Sequence, residues 1–512
     1  MNEIDRYNPY PTFQEGQKEA ITQILDLYEE GQKVIELNAP TASGKSLDLY
    51  VLGLILSNEH EDKVIYTTPQ VALVDQLGEN SKFSDMPVLK GKRNYPCGLL
   101  PDTMADECPF SKWDKAIAYC GKGGLPCSEC AYQLDREIFN EAKFGATTFA
   151  RYILDPACHQ KCKALLIDES SGLEKALVDS STLKLPENTD VRNLRESVME
   201  YAVRLQISID DLGKEIASYE NPLKYELEEI VKLKKRMNRL TRELHKCMKV
   251  ISHIDKKHNY IVDRELQFRL LEGKTEFERL VQNLDLVILA SGTPTSAIYA
   301  EDYKIVQIQH PIPLKQRLIH YYPVGLMNYA ERNITAPKIS NAIETLHNKY
   351  HKKTMVHCGS YVVAKMLYNH LSLEMQKITI LQEDPKQRKL YKDMFAQKEG
   401  ECVFLSIAFS EGIDLKGPDY PMNIIAKIPF ENIKDEFIAH RNQHDNYLRY
   451  NTFVAVDVMQ SAGRCTRTPS DFSETWILDK SWQSLFNRNK KLFAPWFVAA
   501  LTTEAVLGGR KL

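Results

Sequence analysis

The sequence predicts an α/β protein of two parallel-sheet domains, with a cysteine-rich insert and a small helical insert in the first. Three observations carry this. Short apolar runs alternate with helical stretches along the chain, the pattern of parallel strands joined by crossover helices. At 512 residues the chain is too long for one ordinary core, so two or more domains are expected. Between two strand candidates the texture changes to long amphipathic helices.

Taken in order, residues 17–30 read as a helix and "KVIEL" (Lys33–Leu37) as a short buried strand. A Gly-Lys-Ser turn and the apolar segment "LDLYVLGLIL" follow. "KVIYTTP" is a second strand, and "ALVDQL" opens another helix. "KALLIDES" (Lys163–Ser170) is a strand ending in two carboxylates, and "LDLVILASGTP" (Leu284–Pro294) a strand ending in a small polar turn. Apolar residues recur at steps of three and four from Leu194 to Ile216 and from Leu223 to Ile251, marking two amphipathic helices. "YENP" between them is a turn signal, so the pair reads as a helical hairpin. The second half repeats the α/β pattern with "KTMVHC", "ECVFLSIAF", "MNIIAKIPF" and "TWILDK".

Composition excludes several classes. Hydrophobic residues at 43% and charged residues at 26% suit a globular protein. The net charge of −3 provides no global pull toward nucleic acid, so any basic surface is local. No run of about 18 apolar residues suggests a membrane span, and the polar start "MNEIDRYNPYP" lacks a signal-peptide core. A cytoplasmic monomer with no membrane partner is expected. Eleven cysteines in a reducing compartment do not form a disulfide framework.

The stretch Ala39-Pro40-Thr41-Ala42-Ser43-Gly44-Lys45-Ser46 sits between a strand and a helix, the context a phosphate-binding loop requires. Its backbone N–H groups would cradle phosphate oxygens, aided by the following helix N-terminus. Lys45 would reach the β/γ phosphates and Ser46 would ligate Mg²⁺. Alone, Gly-Lys-Ser is as often a plain turn. Asp168-Glu169 strengthens the reading: Asp168 would hold Mg²⁺ and Glu169 would orient the attacking water. A helix N-cap is the competing reading of that segment. In the second half, "QSAGRCTR" offers Gln460, Gly463, Arg464 and Arg467; two arginines three apart are expected on one helix face, within reach of a γ-phosphate. "AFSEGIDLKG" adds Glu411, Gly412 and Asp414 in a turn. A solvated basic face and a simple acidic loop are their plainer readings.

Five cysteines, Cys97, Cys108, Cys120, Cys127 and Cys130, crowd one segment. Cys127-x-x-Cys130 is a ligand hairpin, and two further thiolates would complete a tetrathiolate site for zinc or an iron–sulfur cluster. The other six, Cys158, Cys162, Cys247, Cys358, Cys402 and Cys465, are expected to fill space.

The order of these pieces resembles a superfamily 2 DNA helicase of the iron–sulfur XPD/DinG type. "APTASGKS" resembles motif I, "TTPQVALVDQ" motif Ia and "ASGTP", with Ser291 and Thr293, motif III. "IDES" stands where the family has Asp-Glu-Ala-His. "MVHCGSY", "FSEGIDLKG" and "QSAGRCTR" resemble motifs IV, V and VI, and "AKIPF" the family's Lys-Leu-Pro-Phe segment. "FQEGQKEAI" looks like the entry motif, with Gln17 as adenine reader. The resemblance implies two RecA-like domains closing on ATP and Mg²⁺, with Arg464 and Arg467 brought to the γ-phosphate. It implies 5′→3′ movement on single-stranded or forked DNA, gripped near Thr68 and Ser360-Tyr361. Ala39 fits the family; Ala42 departs from it, since glycine is common there. The family's motif II histidine is absent, and Ser171 is the expected substitute toward motif III.

The same resemblance shifts the cysteine site to [4Fe–4S], held by Cys97, Cys127, Cys130 and one of Cys108 or Cys120. It places a helical arch at the hairpin, whose segment Pro222–Lys257 carries eleven Lys/Arg against five Asp/Glu. A solvated helix face is the plainer reading of that charge. The expected division is residues 1–92, 136–180 and 276–310 for the first domain, 93–135 for the cluster insert, 181–275 for the arch and 311–512 for the second domain. Two other readings compete: a nucleic-acid-stimulated ATPase that translocates without unwinding, and a non-catalytic, zinc-stapled nucleic-acid-binding module. The presence of Lys45, Asp168, Glu169, Arg464 and Arg467 argues against the last.

Overall fold

The computed structural model describes residues 3–60, 62–97, 102–108, 130–159, 162–219, 224–384, 387–407, 415, 419–466, 468 and 470–502. Its strands in chain order are Val34–Asn38 (β1), Lys63–Thr68 (β2), Val88–Leu89 (β3), Phe144–Thr148 (β4), Cys162–Asp168 (β5), Leu183–Lys184 (β6), Tyr260–Val262 (β7), Gln267–Leu270 (β8), Leu286–Ser291 (β9), Lys304–Gln307 (β10), Ile319–Gly325 (β11), Lys353–His357 (β12), Thr379–Leu381 (β13), Cys402–Ser406 (β14), Met422–Ile425 (β15) and Glu474–Asp479 (β16). Among the described residues they form two parallel sheets, β10-β1-β9-β5-β2-β4-β3 and β11-β16-β15-β12-β14-β13, and one small antiparallel sheet, β6-β8-β7. The α/β fold with two parallel-sheet lobes is therefore present as expected.

The continuous apolar runs in the sequence have a direct cause. Helices cover both faces of each parallel sheet, so β1, β9, β12, β14 and β15 are buried along their whole length. In the first lobe, one core holds Ile35, Leu37, Leu52 and Ile288. The core on the opposite face holds Ile65, Leu165, Ile167 and Leu289. The register aligns the functional turns: Asn38 pairs with Ser291, and Asp168 with Ala290. The segments after β1, β5 and β9 therefore leave three adjacent strands at one sheet edge, where open α/β sheets bind ligands.

The hairpin helices run Leu194–Ser218 and Lys224–Asp255. Their apolar stripes meet each other and the small sheet, burying Val198, Leu205, Cys247, Ile251 and Phe268 together. The small sheet had no sequence signal of its own: its strands are two to four residues long. The strand β4 is equally unmarked in the sequence. "FGATT" has no aliphatic run, yet all five residues are buried between β2 and β3.

Candidate nucleotide site

The loop after β1 turns through two left-handed residues, Ala42 (φ 70°) and Gly44 (φ 78°). Left-handed backbone costs a residue with a Cβ about 1–2 kcal/mol. This explains why glycine suits position 42. Gly44 is more constrained, because a Cβ there would lie 2.6 Å from Gln17 Nε2. The helix Lys45–Asn58 starts immediately afterwards, so its N-terminal N–H groups and positive end face the concavity. Thr41 Oγ1 and Ser43 Oγ are buried and make no hydrogen bond among the described residues. Such atoms await a polar ligand, and the donor set fits a phosphate chain.

Lys45 Nζ stands 2.6 Å from Glu169 Oε1 and 3.0 Å from Asp168 Oδ1. Burial alone would lower the ammonium pKa, but the two carboxylates outweigh it and raise the pKa above the ordinary lysine value. Asp168 Oδ2 accepts from the Tyr66 hydroxyl at 2.7 Å. Burial, then the Asp168 charge, pushes that phenol well above its usual range, so it remains a donor. Asp168 is thus oriented from one side by Tyr66, a residue the motifs did not single out. Glu169 is left-handed (φ 51°), which turns the chain sharply out of β5.

Gln17 is fully buried beneath the loop. Its Nε2 donates to Gly44 O (3.2 Å) and Asp48 Oδ1 (2.8 Å), while its Oε1 accepts from Gln14 N–H (2.7 Å). In this arrangement Gln17 braces the loop from below. Thr68 is also committed, donating to Gln70 O at 3.0 Å, and Ser360 caps the helix Tyr361–His370 through Val363 N–H.

The second lobe meets this site through the helix Leu448–Ala462 and the turn after it. Gln460 Nε2 donates to Ser171 Oγ at 3.1 Å, and Gln460 Oε1 is buried with no partner among the described residues. Gly463 packs so closely that a Cβ would lie 2.9 Å from Thr41 Oγ1. Trp496 Nε1 donates to Gly292 O at 2.7 Å, beside the phosphate loop.

Two expectations need correction. The helix ends at Ala462 with Gly463 as its cap, so Arg464 lies in the following turn and not on a helix face; a glycine at the helix end breaks the periodicity the spacing assumed. Arg464 is buried, and its charge acts on His357 and Asp457. The serine bonded toward motif III is Ser170, 3.3 Å from Thr295 Oγ1, whereas Ser171 reaches the second lobe. Arg467, Glu411, Gly412 and Asp414 lie outside the described residues.

Of the five clustered cysteines, Cys120 and Cys127 lie outside the described residues. The other three lie close in sequence to residues that contact one another. Tyr95 stacks edge-on against Tyr132 with centroids 5.4 Å apart, two residues from Cys97 and Cys130 respectively. Ala105 N–H bonds Tyr95 O, and Cys108 N–H bonds Ala105 O. Among the described residues, no three Cys, His, Asp or Glu side chains come together as a metal site. The long hairpin helix docks here: Asn238 bonds Asp106 O at 2.5 Å, and Lys235 pairs with Glu107 at 3.1 Å. The six remaining cysteines are all buried.

Two parallel α/β lobes thus meet with a glycine-lysine-serine loop of one facing a helix end of the other. Residues 343–499 match the helicase C-terminal domain family. The chain is similar in fold to Xpd4 of S. tokodaii (14% identity, 96% of this chain and 99% of that one, TM-score 0.56). It is also similar to a structure of XPD helicase (14% identity, 98% and 100%, TM-score 0.61) and to one of XPD in its apo form (16% identity, 92% and 98%, TM-score 0.51). The fold is that of XPD-type helicases, as the motif resemblance implied. No curated protein matches the chain by sequence. No helix among the described residues is long and apolar enough to cross a membrane.

Proposed function

We propose that the chain is an ATP-dependent helicase that moves 5′→3′ on single-stranded DNA. The observation that carries the reading is the junction at Thr41, Ser171, Gln460 and Gly463, where both lobes converge on one loop. Lys45 would leave its carboxylate partners to contact the β/γ phosphates. Ser46 and Asp168 would hold Mg²⁺, which neutralises developing charge on the phosphates. Glu169, freed from Lys45, would orient water. Gln460, one buried oxygen unpartnered, would sense that water or the γ-phosphate from the second lobe. Arg464 and Arg467 follow in the same segment and would complete the charge stabilisation.

The arch would grip the strand. Arg236, Arg239 and Arg242 are exposed at steps of three on the long hairpin helix, a local basic surface on a chain of net charge −3. Cys97, Cys127, Cys130 and either Cys108 or Cys120 would hold a [4Fe–4S] cluster that pins the insert against this helix. The expected domain division belongs to this proposal.

The test is ATP hydrolysis with and without single-stranded DNA, for the native protein and Lys45→Ala, followed by release of a forked duplex. Strong DNA stimulation, lost in Lys45→Ala, supports the reading. Hydrolysis without strand release selects the translocase that does not unwind, a reading favoured by the compact arch of two helices and one small sheet. A zinc-loaded protein with no hydrolysis would establish the binding module instead.

A further inference from the structure

The helix that ends at the nucleotide site begins at another inter-lobe contact. Arg449, at its first turn, is buried. Its Nε donates to Glu174 Oε1 at 2.8 Å, and its Nη2 lies 3.3 Å from Glu272 Oε2 and from Ile298 O. Its Nη1 lies 3.3 Å from Asp445 of its own lobe. Glu174 and Glu272 belong to different parts of the first lobe. Glu174 lies in the helix Leu173–Ser181, which follows Asp168-Glu169. Glu272 follows β8 of the arch sheet after one intervening residue. The oxygen of Glu174 that meets Arg449 also accepts from Gly273 N–H at 2.9 Å. One guanidinium therefore joins the segment after the carboxylates, the root of the arch and the start of the Gln460 helix.

Packing around it points the same way. Ile261 and Leu271 at the arch root pack with Val178 and with Phe437, Ile438 and Tyr450 of the second lobe in one apolar cluster. Arg449 and Gln460 are eleven residues apart, about 16 Å along a helix. A rigid rod of that length, held at both ends by the first lobe, converts a small shift at Arg449 into displacement at Gln460 and Gly463.

We propose that Arg449 is a positioning residue that couples nucleic acid on the arch to nucleotide hydrolysis, through Glu272 on one side and the Gln460 helix on the other. The inference rests on the proposed DNA-stimulated ATPase. A strand loading the arch moves the exit of β8; Glu272 then draws Arg449, and the helix end resets against Thr41 and Ser171. Glu174 makes the same contact responsive to the carboxylate segment, so the two inputs meet on one side chain.

The experiment compares Glu272→Gln, Arg449→Gln, their combination and Arg449→Lys. ATP hydrolysis is measured with and without single-stranded DNA, and melting temperature alongside. Expected is a loss of DNA stimulation of about tenfold in each Gln variant, with the DNA-free rate within about twofold. The combination should be no worse than Arg449→Gln, and Arg449→Lys should recover part of the loss. Unchanged stimulation in both Gln variants, losses that multiply in the combination, or lowered melting temperature with an unaltered stimulation ratio would overturn the coupling role. The second readout is the distance distribution between dyes placed by unnatural amino acids at exposed Glu30 and Leu373, without nucleotide. Arg449→Gln should broaden it. If the native protein shows no DNA stimulation, the functional reading has failed, and an unaltered distribution in Arg449→Gln then overturns this inference as well.

Discussion

Gln460 of the second lobe donates a hydrogen bond to the Ser171 hydroxyl of the first at 3.1 Å. The preceding residue, Ser170, instead lies 3.3 Å from Thr295 of the first lobe. Two adjacent serines thus make separate contacts, one to the segment after β9 and the other across the cleft.

Ser171→Ala and Gln460→Ala should therefore act as a unit. Each removes one neutral hydrogen bond worth about 1 kcal/mol, so kcat/KM for ATP should fall at least about fivefold in each. The double variant should fall no further than the worse single. Fully multiplicative losses would show that the two side chains work independently.

The loop's two left-handed residues should respond oppositely to substitution. Ala42→Gly relieves the Cβ strain, offset by about 0.4–1 kcal/mol of added unfolded-state freedom, so melting temperature should change little and ATP affinity should hold. Gly44→Ala places a Cβ 2.6 Å from Gln17 Nε2 in addition to the strain. It should cost about 2 kcal/mol or more in a urea titration, and the double variant Gly44→Ala/Gln17→Ala should recover part of it.

Lys45 pairs with Asp168, the proposed Mg²⁺ ligand, and with Glu169. Lys45→Ala should bind Mg²⁺ alone more tightly than the native protein, because no ammonium competes for Asp168. Thermal melts across a Mg²⁺ titration should show the larger upward shift in Lys45→Ala, while hydrolysis falls by about 100-fold or more. Equal Mg²⁺ shifts in the two proteins would count against Asp168 as the metal's ligand.

Two groups beside Arg464 set opposing pH slopes. Burial and the nearby Glu431 charge raise Asp457 from its ordinary 3.8 to about 7, with Arg464 pulling it back. Its folded pKa is raised, so the folded state holds the extra proton and stability falls as pH rises from about 4 to about 7. Burial, then the Arg464 charge, lowers His357 from 6.5 to about 3. Here the unfolded chain takes the proton first, so stability falls as pH drops from about 6.5 toward about 3. Asp457→Asn removes the first slope alone. Its urea midpoint should rise more steeply than the native one between about pH 4 and 6.5, and should exceed it at about pH 8. Parallel profiles would mean Asp457 is ionised throughout.

The sequence by itself determined the strands that are buried on both faces, because a parallel sheet under two helix layers demands apolar runs such as "ALLI" and "LVILA". It also determined the loop, the carboxylate pair and the helical hairpin, each written in local spacing. Tertiary structure alone decided what those pieces touch. Gln17 became a brace because Asp48, thirty-one residues away, lies above it; Tyr66 met Asp168 because β2 and β5 are neighbours. Arg449 found Glu174 and Glu272 across 275 and 177 positions of chain. No local period records such contacts: the first two exist only once distant segments pack in one lobe, the third only where the two lobes meet, and burial makes an unpaired charge there costly enough to demand a partner.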